Sequence, residues 1–176
     1  SIMLIDLYEL LQEEDGLKKF NLTFEEEKFK TRRNSYPVEK SNVYLEFHND
    51  GKKHISLKCT GDVTLVIPCN RCLEPVSYDI NIDTFKDLDL NKTSQQRIDD
   101  LDETTYLDGT KFDSQMFIYN EILVNLPMKV LCRTDCKGIC NRCGVNLNVS
   151  TCKCQDAEPG TGMSKILDVF NQFKEV

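Results

Sequence analysis

Long apolar runs are what this chain of 176 residues most conspicuously lacks. No stretch reaches the roughly 18 consecutive apolar residues of a membrane-crossing helix, so no transmembrane helix and no membrane partner are expected. The opening segment, 1–11, has no basic cluster and interrupts its apolar residues with Asp6 and Glu9, so no secretory signal is expected either. Tryptophan is absent, as are a P-loop, a glycine-rich dinucleotide-binding loop and a Gly-x-Ser-x-Gly elbow. Positive charge is in deficit: 22 Lys+Arg against 29 Asp+Glu give a net charge of −7. That excludes a surface coated in positive charge, while leaving room for a local basic face. Hydrophobic residues make up 40% of the chain, enough for a modest core and too many for global disorder. The length fits one domain with a small appended module.

Cysteine is what the chain has in excess. Nine cysteines cannot all pair with one another, and without an export signal the chain is expected in the reducing cytoplasm. Six fall between Cys132 and Cys154, two more are Cys69 and Cys72, and Cys59 stands alone. Such clusters in a reducing compartment point to metal rather than disulfides. In Cys140-Asn141-Arg142-Cys143-Gly144 the spacing lets both sulfurs face one point, and the glycine permits a close backbone turn. Zinc takes four thiolates in a tetrahedron with bonds of about 2.3 Å. The second pair could be Cys152 and Cys154, folded back as a short hairpin, or Cys132 and Cys136. Without Cys59, eight cysteines remain, enough for two closed sites. One would use Cys140, Cys143, Cys152 and Cys154, the other Cys69, Cys72, Cys132 and Cys136. The turn at 69–72 reads equally as two packed thiols without metal. Structural Zn2+ is the expected occupant of the tail cluster, and a closed site of this kind is not expected to be catalytic.

Along the chain, residues 4–11 suit a short helix or a strand, with helix preferred. Phe20, Leu22 and Phe24 alternate as a strand, and Lys28, Lys30 and Arg32 continue the alternation until Tyr36-Pro37 breaks it. Val43, Leu45 and Phe47, then Asn49-Asp50-Gly51, then Ile55, Leu57 and Cys59 read as a hairpin. His48 and His54 flank that turn and are expected at the solvated surface. Gly61-Asp62 offers a further turn before a strand of Val63, Leu65 and Ile67. Val76, Tyr78, Ile80 and Ile82 form the return strand after the turn at 69–72. Residues 86–111 are acidic and read as a flexible loop with little core contribution. Asp113 or Ser114 caps a helix ending before Pro127. Residues 158–160 form a linker, and 163–173 an amphipathic terminal helix. No internal repeat is expected.

The resulting expectation is an α+β protein. Residues 1–126 are expected to form an antiparallel sheet, strongly twisted or barrel-like, with a packed helix at about 113–125 and the acidic loop at about 86–111. A cysteine-rich zinc module over 127–158 and a linker with a C-terminal helix over 159–176 follow. Charge is unevenly spread. Residues 127–154 carry Lys129, Arg133, Lys137, Arg142 and Lys153 against Asp135 alone, so the cysteine segment is a candidate basic pole. Lys28, Lys30, Arg32 and Arg33 form a second basic run, which reads as a soluble edge strand or as a phosphate contact.

Three segments resemble the YceD family of large-ribosomal-RNA-subunit accumulation proteins. They are PCNRCLEPV at 68–76, NEILVNLPMKVLC at 120–132, and DCKGICNRCGVNLN at 135–148 followed by CKC. The last is similar to the cysteine tail of clostridial-type members, and the final segment is similar too. The resemblance covers most of the chain from about residue 63 onward. It implies a bacterial cytoplasmic protein needed for accumulation or processing of 23S rRNA, hence for large-subunit assembly, and not an enzyme. The implied partners are 23S rRNA, a large-subunit precursor or a ribosomal protein, and Arg71 in the turn joins the candidate contacts. Two other classes remain open from the residues: a protein-interaction adaptor without RNA contact, and a thiol-redox or metal-responsive protein.

Overall fold

The computed structural model describes residues 4–93, 95–96, 106–152 and 154. The chain divides into two compact units, one of Ser1–Ile67 with Pro75–Val130 and the other of Pro68–Glu74 with Leu131–Val176.

The first unit is built on antiparallel strands. After β1 (Leu4–Asp6) and the single turn of α1 (Tyr8–Leu11) come β2 (Leu17–Leu22), β3 (Lys28–Lys30), β4 (Ser35–Gly51), β5 (His54–Pro68) and β6 (Pro75–Asp89). The larger sheet has the order β2-β4-β5-β6, with β3 also paired to β4. Its inner face is a period-two stripe: Val43, Leu45 and Phe47 on β4 and Ile55, Leu57, Cys59, Val63 and Leu65 on β5 are fully buried. A smaller sheet joins β1, β8 (Lys111–Asp113) and β7 (Leu107–Asp108), in that order. Helix α2 (Ser114–Asn125) follows, capped by Asp113, whose side chain accepts the Met116 N–H at 3.1 Å. It buries Ser114, Phe117, Ile118, Glu121 and Ile122, the i, i+3, i+4 spacing of one helical face. An edge-to-face contact of Phe112 with Phe47 (5.1 Å) ties the small sheet to the large one.

Several expectations are corrected here. Neither sheet closes among the described residues, so the expected antiparallel sheet is found as two open sheets with one long helix. The segment 4–11 is a three-residue strand followed by one helical turn. The run from Phe20 to Arg32 is two strands, both paired to β4. Pro37 does not end a strand. It lies within β4 opposite Lys28, and the next residue, Val38, donates its N–H to the Glu27 carbonyl at 2.9 Å. Gly61-Asp62 is no turn, because β5 runs straight through it with Gly61 opposite Val43. The acidic segment contributes more to the core than its composition suggests: β6 reaches Asp89, and Leu88, Tyr106 and Leu107 are buried. The linker at 158–160 and the terminal helix at 163–173 lie outside the described residues.

Candidate metal centres and basic hairpin

The second unit owes its form to cysteine. All nine cysteines are free thiols, and eight gather in two sets of four. One set is Cys69, Cys72, Cys132 and Cys136, the other Cys140, Cys143, Cys152 and Cys154, and within each set the Sγ atoms lie within 4.8 Å of one another. A tetrahedron with Zn–S bonds of about 2.3 Å has S···S edges of about 3.8 Å. The observed separations are 3.7 Å for Cys69–Cys136, 3.6 Å for Cys72–Cys132, 3.7 Å for Cys143–Cys152 and 3.2 Å for Cys140–Cys152. Disulfides need sulfurs about 2.0 Å apart, so the geometry suits a shared ion, not a covalent bridge. The residues present fit a closed four-thiolate metal site twice over.

The electrostatics agree. Burial works to raise the Cys69 thiol, but the backbone N–H groups of Cys72, Arg71 and Cys132 outweigh it and bring its pKa down to about 6. Cys140 is likewise held at about 6 by the Cys143 N–H, the Cys152 thiol and the Arg142 N–H. In the same clusters Cys132 is pushed up to about 12 by burial and by its three thiol neighbours, and Cys154 to about 12 by Cys152 and Cys143. Some thiols of each set ionise readily while others resist, because like charges cannot accumulate at this spacing without a cation.

Both sets are seeded by the same local device. The tetrapeptide Cys-Asn-Arg-Cys occurs at 69–72 and again at 140–143, a short repeat that the sequence reading passed over. In the first loop Leu73 N–H donates to Cys69 O at 3.0 Å and Cys69 N–H to Glu74 O at 2.8 Å. In the second, Gly144 N–H donates to Cys140 O at 2.9 Å and Cys140 N–H to Val145 O at 2.9 Å. The residue after the second cysteine is left-handed in both, at φ 65° for Leu73 and 75° for Gly144. Glycine adopts that conformation freely, whereas a residue with a side chain loses about 1–2 kcal/mol.

The two chain segments of the unit are also stitched by polar contacts. Arg71 Nη1 donates to Cys136 O at 3.0 Å, Asn148 Nδ2 reaches Cys136 Sγ at 3.3 Å, and Asn146 Nδ2 donates to Glu74 Oε1 at 3.3 Å. A Cβ on Gly138 would lie 3.2 Å from Arg71 O, so the loops pass at close range.

The expected basic contacts fall in both units. In the second, Arg133 pairs with Asp135 at 3.5 Å, Arg142 Nη1 reaches Cys154 O at 3.5 Å, and Lys137 is exposed. In the first, Lys28 and Lys30 flank the buried Phe29 on β3, and Arg32 and Arg33 occupy the turn closed by Thr31 N–H to Asn34 O at 2.8 Å. Phe29 stacks on Tyr119 at 4.8 Å, and Tyr119 OH donates to Lys30 O at 2.7 Å, so helix α2 holds this hairpin in place. Among the described residues no ion pair engages Lys28, Lys30, Arg32 or Arg33. His48 and His54 meet carboxylates, Asp50 at 2.6 Å and Asp87 at 3.5 Å, and neither joins a thiol cluster.

The family model described as large ribosomal RNA subunit accumulation protein YceD matches residues 57–171, well over half of the chain. The match includes all nine cysteines and leaves the basic hairpin at 28–35 outside it. No curated protein and no solved structure matches the chain. Among the described residues no helix is long and apolar enough to cross a membrane.

Proposed function

Since the chain belongs to the YceD family, we propose that it is a non-enzymatic cytoplasmic factor for accumulation of the large-subunit ribosomal RNA, acting on that RNA or on a precursor of the large subunit. The family match is the observation that carries this reading. Two zinc ions, one in each four-cysteine set, staple the second unit. Zinc is favoured because all the donors are thiolates and their spacing is that of a tetrahedron. Bound zinc supplies no chemistry here beyond holding the loops, since four protein ligands leave no open position.

Contact with RNA is assigned first to the basic hairpin. Lys28, Lys30, Arg32 and Arg33 are exposed, and the hairpin that carries them is anchored through Phe29 and Tyr119. Long basic chains on a fixed backbone suit phosphate oxygens. In the second unit Lys137, Arg133 and Arg142 could add to this contact, the latter two already engaged within the module.

The test is binding of the full chain to in-vitro transcribed 23S rRNA across a range of salt concentrations. Phosphate contacts make log K fall linearly with log salt, by roughly 0.7–0.9 per phosphate. Replacing Lys28, Lys30, Arg32 and Arg33 together by alanine should lower the slope by about 3. An unchanged slope would remove the hairpin as the contact. Salt-independent or absent binding would favour an adaptor that meets only protein.

A further inference from the structure

The two Cys-Asn-Arg-Cys loops make the same demand on the residue that follows them, and the chain answers it differently. Both loops close with the same pair of backbone hydrogen bonds, and both turn that residue left-handed. Glycine at 144 meets the demand without strain. Leucine at 73 meets it against its own conformational preference. Burial does not offset that strain, because Leu73 is 60% exposed. A strained, solvated, apolar residue where glycine serves its twin is a feature the fold of this chain does not require.

We infer that Leu73 is a recognition knob, held out by the metal loop to enter an apolar pocket on a protein of the large-subunit precursor; this rests on the assembly reading above. The loop is a rigid mount. Its thiols are fixed by the other two cysteines of the set, and the preceding Arg71 is tied to Cys136 O. Its local charge does not favour RNA. Four thiolates around a divalent cation leave −2, and Arg71, Arg133 and Lys137 against Glu74 and Asp135 return +1, so the knuckle keeps a net −1 and offers phosphate no net attraction. No aromatic side chain occurs in residues 68–74 or 131–152, so the loop offers no face on which a base could stack. An apolar pocket rimmed by basic side chains is the surface that fits.

The experiment compares full-length wild type with Leu73→Gly and Leu73→Asn, since asparagine also tolerates the left-handed region. Each is co-sedimented with large-subunit precursor particles from cells depleted of the protein, and separately with the same RNA stripped of protein. Both variants should bind particles about tenfold more weakly, the weight of one buried anchor. They should bind stripped RNA like wild type, retain two zinc ions, and in the glycine case melt no lower than wild type. Undiminished particle binding by the variants would overturn the inference while leaving the assembly reading standing. Equal loss on stripped RNA would make the occupant RNA and overturn it too. A glycine variant that loses zinc or melts lower would make Leu73 a structural residue, again against the inference. Wild type that fails to bind particles would overturn both readings together.

Discussion

The Sγ atoms of Cys72 and Cys132 lie 3.6 Å apart across 60 residues of sequence. Cys69 and Cys136 repeat the relationship at 3.7 Å, so one thiol cluster joins the loop after β5 to the segment beginning at Leu131. The other cluster closes locally, between Cys140 and Cys154. Metal binding and folding are therefore linked in different ways at the two sites.

Cys72→Ser and Cys140→Ser should each leave one zinc ion where wild type carries two, as read by native mass spectrometry. Their effects on amide exchange should differ. Cys72→Ser should deprotect both 69–74 and 131–138, because it opens the long-range clip. Cys140→Ser should deprotect chiefly 140–152. Equal and global deprotection in both would contradict two separate sites.

Cys59 belongs to neither cluster and should behave as an inert core thiol. It is fully buried opposite Leu45, and burial together with the negative charges of Glu121 and Asp83 raises its pKa from 9.0 to about 12. Its neutral form therefore contributes stability that is complete below about pH 9, where the unfolded chain also keeps the proton. That contribution is lost as pH rises towards 12. Replacing Cys59 by alanine should cost about 1 kcal/mol at neutral pH, and should flatten the alkaline fall in denaturation midpoint relative to wild type. In alkylation at neutral pH, eight thiols should react once a chelator removes the metal, and Cys59 only on unfolding.

Gly61 is required by close approach. A Cβ there would lie 2.2 Å from Asn42 O and 2.8 Å from Val43 Cα, both backbone atoms of the neighbouring strand. Gly61→Ala should force β4 and β5 apart and destabilise the first unit by about 3 kcal/mol, measurable by urea denaturation. Asp113→Ala, by contrast, removes only the cap on α2 and should cost about 1 kcal/mol in the same assay.

Gly61 also shows how far the sequence was legible. Ile55, Leu57, Cys59, Val63, Leu65 and Ile67 keep one parity across the Gly-Asp pair, which a single strand preserves. Turn propensity outweighed that signal in the sequence reading, because a strand glycine that admits a neighbouring backbone looks locally like a turn glycine. Pro37 misled in a similar way: it is compatible with a strand wherever its missing N–H is not needed. The start of helix α2 at 113–114, its end before Pro127 and the hairpin after Phe47 were legible because each depends on neighbours in sequence. The partition of cysteines into two fours was open to counting, but which pairs meet depends on contacts 60 residues apart. The repeated Cys-Asn-Arg-Cys was in plain view. Its meaning lay in the residue after it, and only the backbone geometry shows that Leu73 and Gly144 occupy equivalent positions.

The assembly role is tested most directly by a sucrose-gradient profile of ribosomal particles from cells depleted of this protein, with the ends of the ribosomal RNA mapped. An assembly factor of this kind, once depleted, should leave accumulated large-subunit precursors and a deficit of mature 23S rRNA, restored by the wild-type chain and restored poorly by Leu73→Gly. A normal profile with normal RNA ends would contradict it.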